Sequence, residues 1–186
     1  MLIGVPQYLT GTLHLCIRYN THPISKAGPN TVVCYADSSY ADDRSNGRST
    51  TGYVVKMNDG PISWFSKQQS GATHSTSEAE YIAAGKGAME LVYLDELLFC
   101  FGIFNKEPMQ LFGDNTGCVF MSNNENISDK SRHIRVKYHY IRDLVKEETI
   151  TVRYVPTTKM IADILTKAVT VQVMEKLRPF LLVDKT

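Results

Sequence analysis

Hydrophobic and polar positions change rhythm partway along this chain. From Thr31 to about Gln69 the apolar residues fall in short blocks, "TVVCYAD", "TTGYVVKM" and "PISWFSKQQ", separated by turn chemistry at "DDRSNGRS" and Asn58-Asp59-Gly60. Blocks of this length bounded by Gly, Asn and Asp predict strands, and three in succession predict an antiparallel meander. From Ser75 to Phe101 the rhythm is helical: Glu80, Ala84, Gly87, Leu91, Leu94 and Leu98 recur at three- and four-residue steps and form one stripe. A short strand "MQLFGD", a short helix from Asn115, a second long helix over about 131–147, a strand "TITVRYVP" and a helix "KMIADILTKA" complete the pattern. A meander followed by alternating helices and strands predicts an α/β fold, a mixed sheet with helices on its faces. Residues 1–30 hold a turn and short extended run, "YLTGTLHLCIRYN", and a linker, "THPISKAGPN"; 31–170 read as the domain and 171–186 as a short terminal helix or tail.

Composition narrows the setting. The 186 residues are 43% hydrophobic and 21% charged, as in one soluble domain with a full core. No run approaches the ~20 apolar residues that span a bilayer, and the N-terminus lacks the pattern of a secretory signal, so neither a membrane nor secretion is expected. Cys16, Cys34, Cys100 and Cys118 are far apart, each in apolar context and without a C-x-x-C spacing, which predicts buried reduced thiols in an intracellular protein. Net charge is +1 with a pI near 7.7, so attraction to a polyanion requires a local patch or metal ions.

The candidate chemistry lies in carboxylates at apolar positions. Ser75 and Glu78 form an S-x-x-E capping box, so Glu78 marks the helix start. Glu80 heads the apolar stripe, where an unpaired charge is costly. Asp37 ends an apolar strand, Asp114 ends another and precedes a helix, and Asp163 is flanked by Ile161, Ala162, Ile164 and Leu165. Each has a structural alternative: a turn former for Asp37, an N-cap for Asp114, a solvated helix residue for Asp163. Carboxyl ends of adjacent strands are nevertheless where α/β sheets build sites, and carboxylates converging there repel unless cations intervene. Oxygen-only ligands suit Mg²⁺ or Mn²⁺, and two such ions about 4 Å apart serve phosphodiester cleavage.

The motifs "YADSSYADD", "STTGYVV", "ISWFSKQQ", "STSEAEYIAA", "GDNTGCV", "RHIRVKYHYIRD" and "VPTTKMIADILTKA" together resemble the ribonuclease H domain of Ty1/copia-type retrotransposon polyproteins, over roughly residues 31–170. "YLTGTLHLCIRYN" resembles the segment that joins reverse transcriptase to ribonuclease H in those polyproteins. The resemblance implies a ribonuclease H-like fold with a five-stranded mixed sheet and a D-E-D-D site at Asp37, Glu80, Asp114 and Asp163. It implies two Mg²⁺ or Mn²⁺ ions, with Asp37 bridging them, Glu80 and Asp114 on the first and Asp163 on the second. It implies cleavage of RNA in RNA–DNA hybrids to 3′-hydroxyl and 5′-phosphate ends, alongside a reverse transcriptase domain in a cytosolic particle, or in the nucleus for a repurposed copy. Glu80-Tyr81-Ile82-Ala83 matches the family's helical pattern and favours Glu80 over Glu78. The loop "PTTKMIAD" lacks the histidine of cellular ribonucleases H, which bears on turnover.

Hybrid selectivity needs 2′-hydroxyl contacts, for which Ser38, Thr76, Asn115 and Thr116 are candidates. On the second long helix Ile134, Tyr138, Ile141 and Val145 form an apolar stripe, and Arg135, His139, Arg142 and Lys146 a basic one beside it, with Arg132 and Lys137 nearby. That stripe is either an ordinary solvated face or a ridge that tracks phosphates. His133 and His139 are too few for zinc, and Trp64 is expected in the core rather than as a stacking platform; Tyr40 could lie near the hybrid. A catalytically silent hybrid-binding or polymerase-supporting module is the alternative function. An integrase-like transposase is disfavoured by the order Asp, Glu, Asp, Asp.

Overall fold

The central strand, β2 (Val32–Ser39), is the predicted block "VVCYAD" extended by two serines. The computed structural model describes residues 4–20, 30–42, 45, 47–73, 75–105, 107–123 and 135–185, with the backbone alone at 135–139. Helix α1 (Gly4–Gly11) and strand β1 (Leu15–Cys16) precede β2. After it come β3 (Arg48–Met57), β4 (Gly60–Ala72), helix α2 (Thr76–Cys100), strand β5 (Met109–Gly113), helices α3 (Thr116–Asn123) and α4 (Arg135–Lys146), and strand β6 (Ile150–Tyr154). A 3-10 turn (Thr157–Lys159) leads to the single-turn helix α5 (Asp163–Thr166), then α6 (Val171–Leu177), a second 3-10 turn (Arg178–Phe180) and β7 (Val183–Asp184).

The five-stranded sheet has the order β4-β3-β2-β5-β6. Strands β2, β3 and β4 form the expected antiparallel meander, while β5 and β6 run parallel to β2. The β3–β4 turn has Asn58 and Asp59 at φ 52° and 65°, the left-handed backbone of a tight hairpin that Asn and Asp tolerate.

Both faces of the sheet are covered. On one, Cys34, Ala36, Tyr53, Val55, Leu111 and Val152 pack with Ala84, Ala88, Leu91, Leu94 and Leu98 of α2 and with Ile141 and Leu144 of α4. On the other, Val54, Ile161 and Leu177 form a smaller core with Tyr35, Ile164 and Leu165. The predicted stripe of α2 is buried from Glu80 to Leu98. Its small residues allow close approach: a Cβ at Gly87 would lie 2.8 Å from Cys34 Sγ and 3.2 Å from Leu111 Cδ1. Ser75 caps the helix, its Oγ accepting from the Glu78 N–H at 3.1 Å, and Phe101 closes it.

Several expectations are corrected. The segment read as a turn before β1 begins with α1. Strands β1 and β7 pair antiparallel, Leu15 opposite Asp184, and the Arg18 guanidinium donates to the Asp184 carbonyl at 3.0 Å. Two-residue strands this far apart in sequence leave no periodic trace. The helix predicted through "KMIADILTKA" is only α5, because the 3-10 turn ends at Met160 in extended backbone. Trp64, expected in the core, is 60% exposed. It pairs with Val54 on the edge strand, on the face that only short helical segments cover. Cys34 and Cys118 are buried as expected, but Cys16 is half-buried and Cys100 exposed, on the outer side of the last turn of α2. Residues 131–134 of the second long helix, including Arg132 and His133, lie outside the described residues.

The two glycines of α2 predict opposite responses. Gly87→Ala overpacks the helix–sheet contact and should destabilise the chain by about 1–2 kcal/mol. A Cβ at Gly85 meets nothing within 4 Å, so Gly85→Ala should stabilise by about 0.5–1 kcal/mol. Urea midpoints moving in these directions at constant slope are the check.

Candidate metal centre

Strand register builds the site. In the parallel pair β2–β5, Tyr35 lies opposite Phe112, their rings stacked with centroids 5.0 Å apart. Two residues further on, Asp37 and Asp114 therefore leave the sheet at the same level and on the same face. That is the face on which α5 sits. Asp37 pairs with Gly52 of β3, where a Cβ would lie 2.6 Å from Thr166 Cγ2 and 3.0 Å from Leu165 Cβ. Only a glycine there lets α5 press against β2 and bring Asp163 to Asp37.

The carboxylates of Asp37, Asp114 and Asp163 each present an oxygen within 4.8 Å of the others. Asp37 is 2% and Asp163 5% exposed, with Asp114 half-buried. Glu80 stands outside this tight trio and arrives from the opposite face. It is buried at the N-terminal end of α2, beside Ser38 and near enough to Asp37 and Asp114 to feel their charge. Gln69 secures that end of the helix, its amide donating to Thr51 Oγ1 at 3.0 Å and to the Ala79 carbonyl at 3.1 Å.

Crowding and burial set the protonation. Burial pushes Asp37 up to about 6, aided by the charges of Asp163 and Asp114 and opposed by the Thr166 hydrogen bond and Lys167. Burial, then Asp37 and Asp114, push Glu80 up to about 9 against the pull of Ser38. For Lys167 burial works against the charge, but the Asp163 hydrogen bond and the acidic cluster outweigh it, and its pKa is raised. Three side chains that sequence reasoning did not single out hold the acids in place. Thr166 Oγ1 donates to Asp37 Oδ2 at 2.5 Å, Thr157 Oγ1 donates to Asp114 Oδ2 at 2.6 Å, and Lys167 Nζ lies 2.9 Å from Asp163 Oδ1. The signal for two of them was present: Thr166 and Lys167 follow Asp163 by three and four residues, the spacing of neighbours on a helical turn.

The candidate nucleic-acid contacts fare differently. Ser38 is buried beside Glu80, while Thr76 and Thr116 are exposed first residues of α2 and α3. Asn115 Oδ1 accepts from the Cys118 N–H at 2.9 Å, so it caps α3, and Asp114 is left free of the capping role weighed for it. Arg142 is half-buried and its Nε donates to the Met121 carbonyl at 2.9 Å, joining α4 to α3. The side chains of Arg135 and His139 lie outside the described residues. Tyr40 is 44% exposed.

These protonation shifts predict a pH dependence. A carboxyl held above its ordinary value keeps a proton in the folded chain where the unfolded chain has released it. The resulting stabilisation is therefore lost as pH rises, through about 6 for Asp37 and about 9 for Glu80. The melting temperature of the metal-free chain should fall between about pH 5 and pH 9. Glu80→Gln, a neutral isostere, should flatten the upper part of that fall.

A scan against protein-family models finds no match. The chain is 36% identical over 164 residues to the retrovirus-related Pol polyprotein from transposon TNT 1-94 of Nicotiana tabacum, covering 88% of this chain and 12% of the relative. It is 33% identical over 144 residues to the corresponding polyprotein of transposon RE1 of Arabidopsis thaliana, covering 77% of this chain and 10% of that protein. The chain thus spans about a tenth of the length of these relatives. Among solved structures, the N-terminal RNase H domain of a Mycobacterium tuberculosis protein superposes with a TM-score of 0.56 at 18% identity, covering 81% of this chain and 96% of that one. LC11-RNase H1, from compost, superposes at 0.57 and 18% identity, covering 74% and 93%. The same enzyme in complex with an RNA/DNA hybrid superposes at 0.54 and 19% identity, covering 73% and 94%. The chain is therefore homologous to a section of the retrovirus-related Pol polyproteins of plant transposons, and its fold is that of ribonuclease H.

Proposed function

We propose that the chain is a divalent-metal-dependent endonuclease that cleaves the RNA strand of RNA–DNA hybrids, leaving 3′-hydroxyl and 5′-phosphate ends, as part of retrotransposon reverse transcription. The observation that carries this reading is the meeting of Asp37, Asp114 and Asp163, with Glu80 alongside, where two parallel strands end. The fold, shared with LC11-RNase H1 whose structure holds an RNA/DNA hybrid, supports the substrate class. Similarity to Pol polyproteins, and a likeness in fold to part of the protease-reverse transcriptase of prototype foamy virus, support a reverse transcriptase region of the same polyprotein as partner.

The donor set fits hard cations. The ligand atoms of the trio are carboxylate oxygens, the trio is crowded enough to need positive charge, and with Glu80 four carboxylates balance two divalent ions. Asp37, Glu80 and Asp114 would hold one Mg²⁺ or Mn²⁺, and Asp37 with Asp163 the second. Bound there, the ions supply activation of the attacking water and charge for the departing oxygen.

The chain's own residues supply orientation. Thr166 and Thr157 fix the rotation of the Asp37 and Asp114 carboxylates. Burial of Asp37, Glu80 and Asp163 keeps competing water from three of the four ligands. The exposed Thr76 and Thr116 stand at helix starts flanking the acids and would meet sugar hydroxyls of the bound strand. Arg135 and His139 would add phosphate contacts from α4, with Arg142 placed chiefly to secure that helix against α3.

A labelled RNA–DNA hybrid incubated with Mg²⁺ tests the proposal. The parent should cut only the RNA strand, and Asp37→Asn or Asp114→Asn should lower kcat/KM by at least about a hundredfold, roughly 3 kcal/mol. Binding without cleavage by the parent would favour a silent hybrid-binding module. Equal cutting by parent and variants would show that these acids do not carry the reaction.

A further inference from the structure

Lys167 closes the acidic cluster from the solvent side. It follows α5 as the C-terminal cap, and its backbone N–H donates to the Asp163 carbonyl at 3.3 Å. The side chain turns back so that Nζ lies 2.9 Å from Asp163 Oδ1. The Asp163 side chain is 6% exposed but that of Lys167 is 40% exposed, so the ammonium has an open path to water that the carboxylate lacks. An ion coordinated by Asp163 at about 2.1 Å would stand within a few ångströms of that ammonium, and the two positive charges would repel strongly at this partly desolvated site.

We infer that Lys167 is a tethered counter-ion: it occupies the cation position of Asp163 in the metal-free chain and swings to solvent when a divalent ion enters. It thereby holds the metal-free cluster together and weakens metal binding on the Asp163 side. The inference rests on the metal centre proposed above. An ordinary exposed i, i+4 ion pair would do neither, because such pairs contribute little and compete with nothing. Here the acidic partner is buried and shared with two further carboxylates.

Calorimetric titration of Mn²⁺ into the metal-free parent, Lys167→Met, Lys167→Gln and Asp37→Asn tests this, with melting temperatures read with and without the ion. Both lysine variants should bind Mn²⁺ about five- to tenfold more tightly than the parent, the usual size of a coupling between competing ligands. Their metal-free melting temperatures should fall and their metal-induced rise should grow. If Lys167→Met does not fold, Lys167→Gln carries the comparison. Equal or weaker binding by the lysine variants, beside a parent that binds and an Asp37→Asn that binds poorly, overturns the counter-ion role and leaves the metal centre standing. A parent that takes up no Mn²⁺, or an Asp37→Asn that binds as tightly as the parent, overturns the metal centre and this inference together.

Discussion

Mutual repulsion among buried carboxylates is the constraint around which this molecule is arranged. Asp37 and Asp163 are almost fully removed from solvent, Asp114 presents an oxygen within the same 4.8 Å, and Glu80 is buried beside them. Left charged and without cations, such a group opposes folding. The metal-free chain meets the problem with a proton held on Glu80, a proton held to higher pH than usual on Asp37, hydroxyl donors from Thr166 and Thr157, and an ammonium from Lys167. Divalent ions would replace the protons and the ammonium and leave the threonines in place. Stability and protonation are thus expressions of one electrostatic balance, and metal uptake at the proposed centre would draw on the same one.

Two close approaches, one on each face of the sheet, bring the acids to that point. Gly87 lets α2 settle onto Cys34 and Leu111, which lowers Glu80 towards the end of β2. Gly52 lets α5 settle onto β3 opposite Asp37, which brings in Asp163 together with Thr166. Asp114 needs no helix to place it, since the β2–β5 register sets it level with Asp37. Because three separate packing relations converge, a fault in either glycine contact would move one acid while leaving the strands paired.

The sequence carried this plan where its signal was periodic or local. The stripe of α2, the strand blocks and the Asn58-Asp59 turn are repeated or short-range patterns, and they form as expected. The four candidate acids stood out because each was a charge beside apolar residues, and three of them lie within 4.8 Å of one another. What stayed hidden depends on the third dimension. The β1–β7 pairing joins the two ends of the chain through two residues each, too few to show a rhythm. Trp64 is apolar in a strand, but only the packing of the second face reveals that it is left 60% exposed. Asn115 rather than Asp114 caps α3, a one-residue distinction that neighbouring polar residues do not resolve. Thr157 reaches Asp114 across 43 residues, a contact no local spacing encodes.

Asp37, Glu80, Asp114 and Asp163 are proposed to form one cation-holding centre. Anomalous diffraction from crystals of the chain grown with Mn²⁺ tests it most directly. Two manganese peaks should appear among these side chains, each about 2.0–2.2 Å from carboxylate oxygens, with Asp37 between them. Manganese bound elsewhere on the molecule, with these carboxylates unligated in the same crystals, would contradict it.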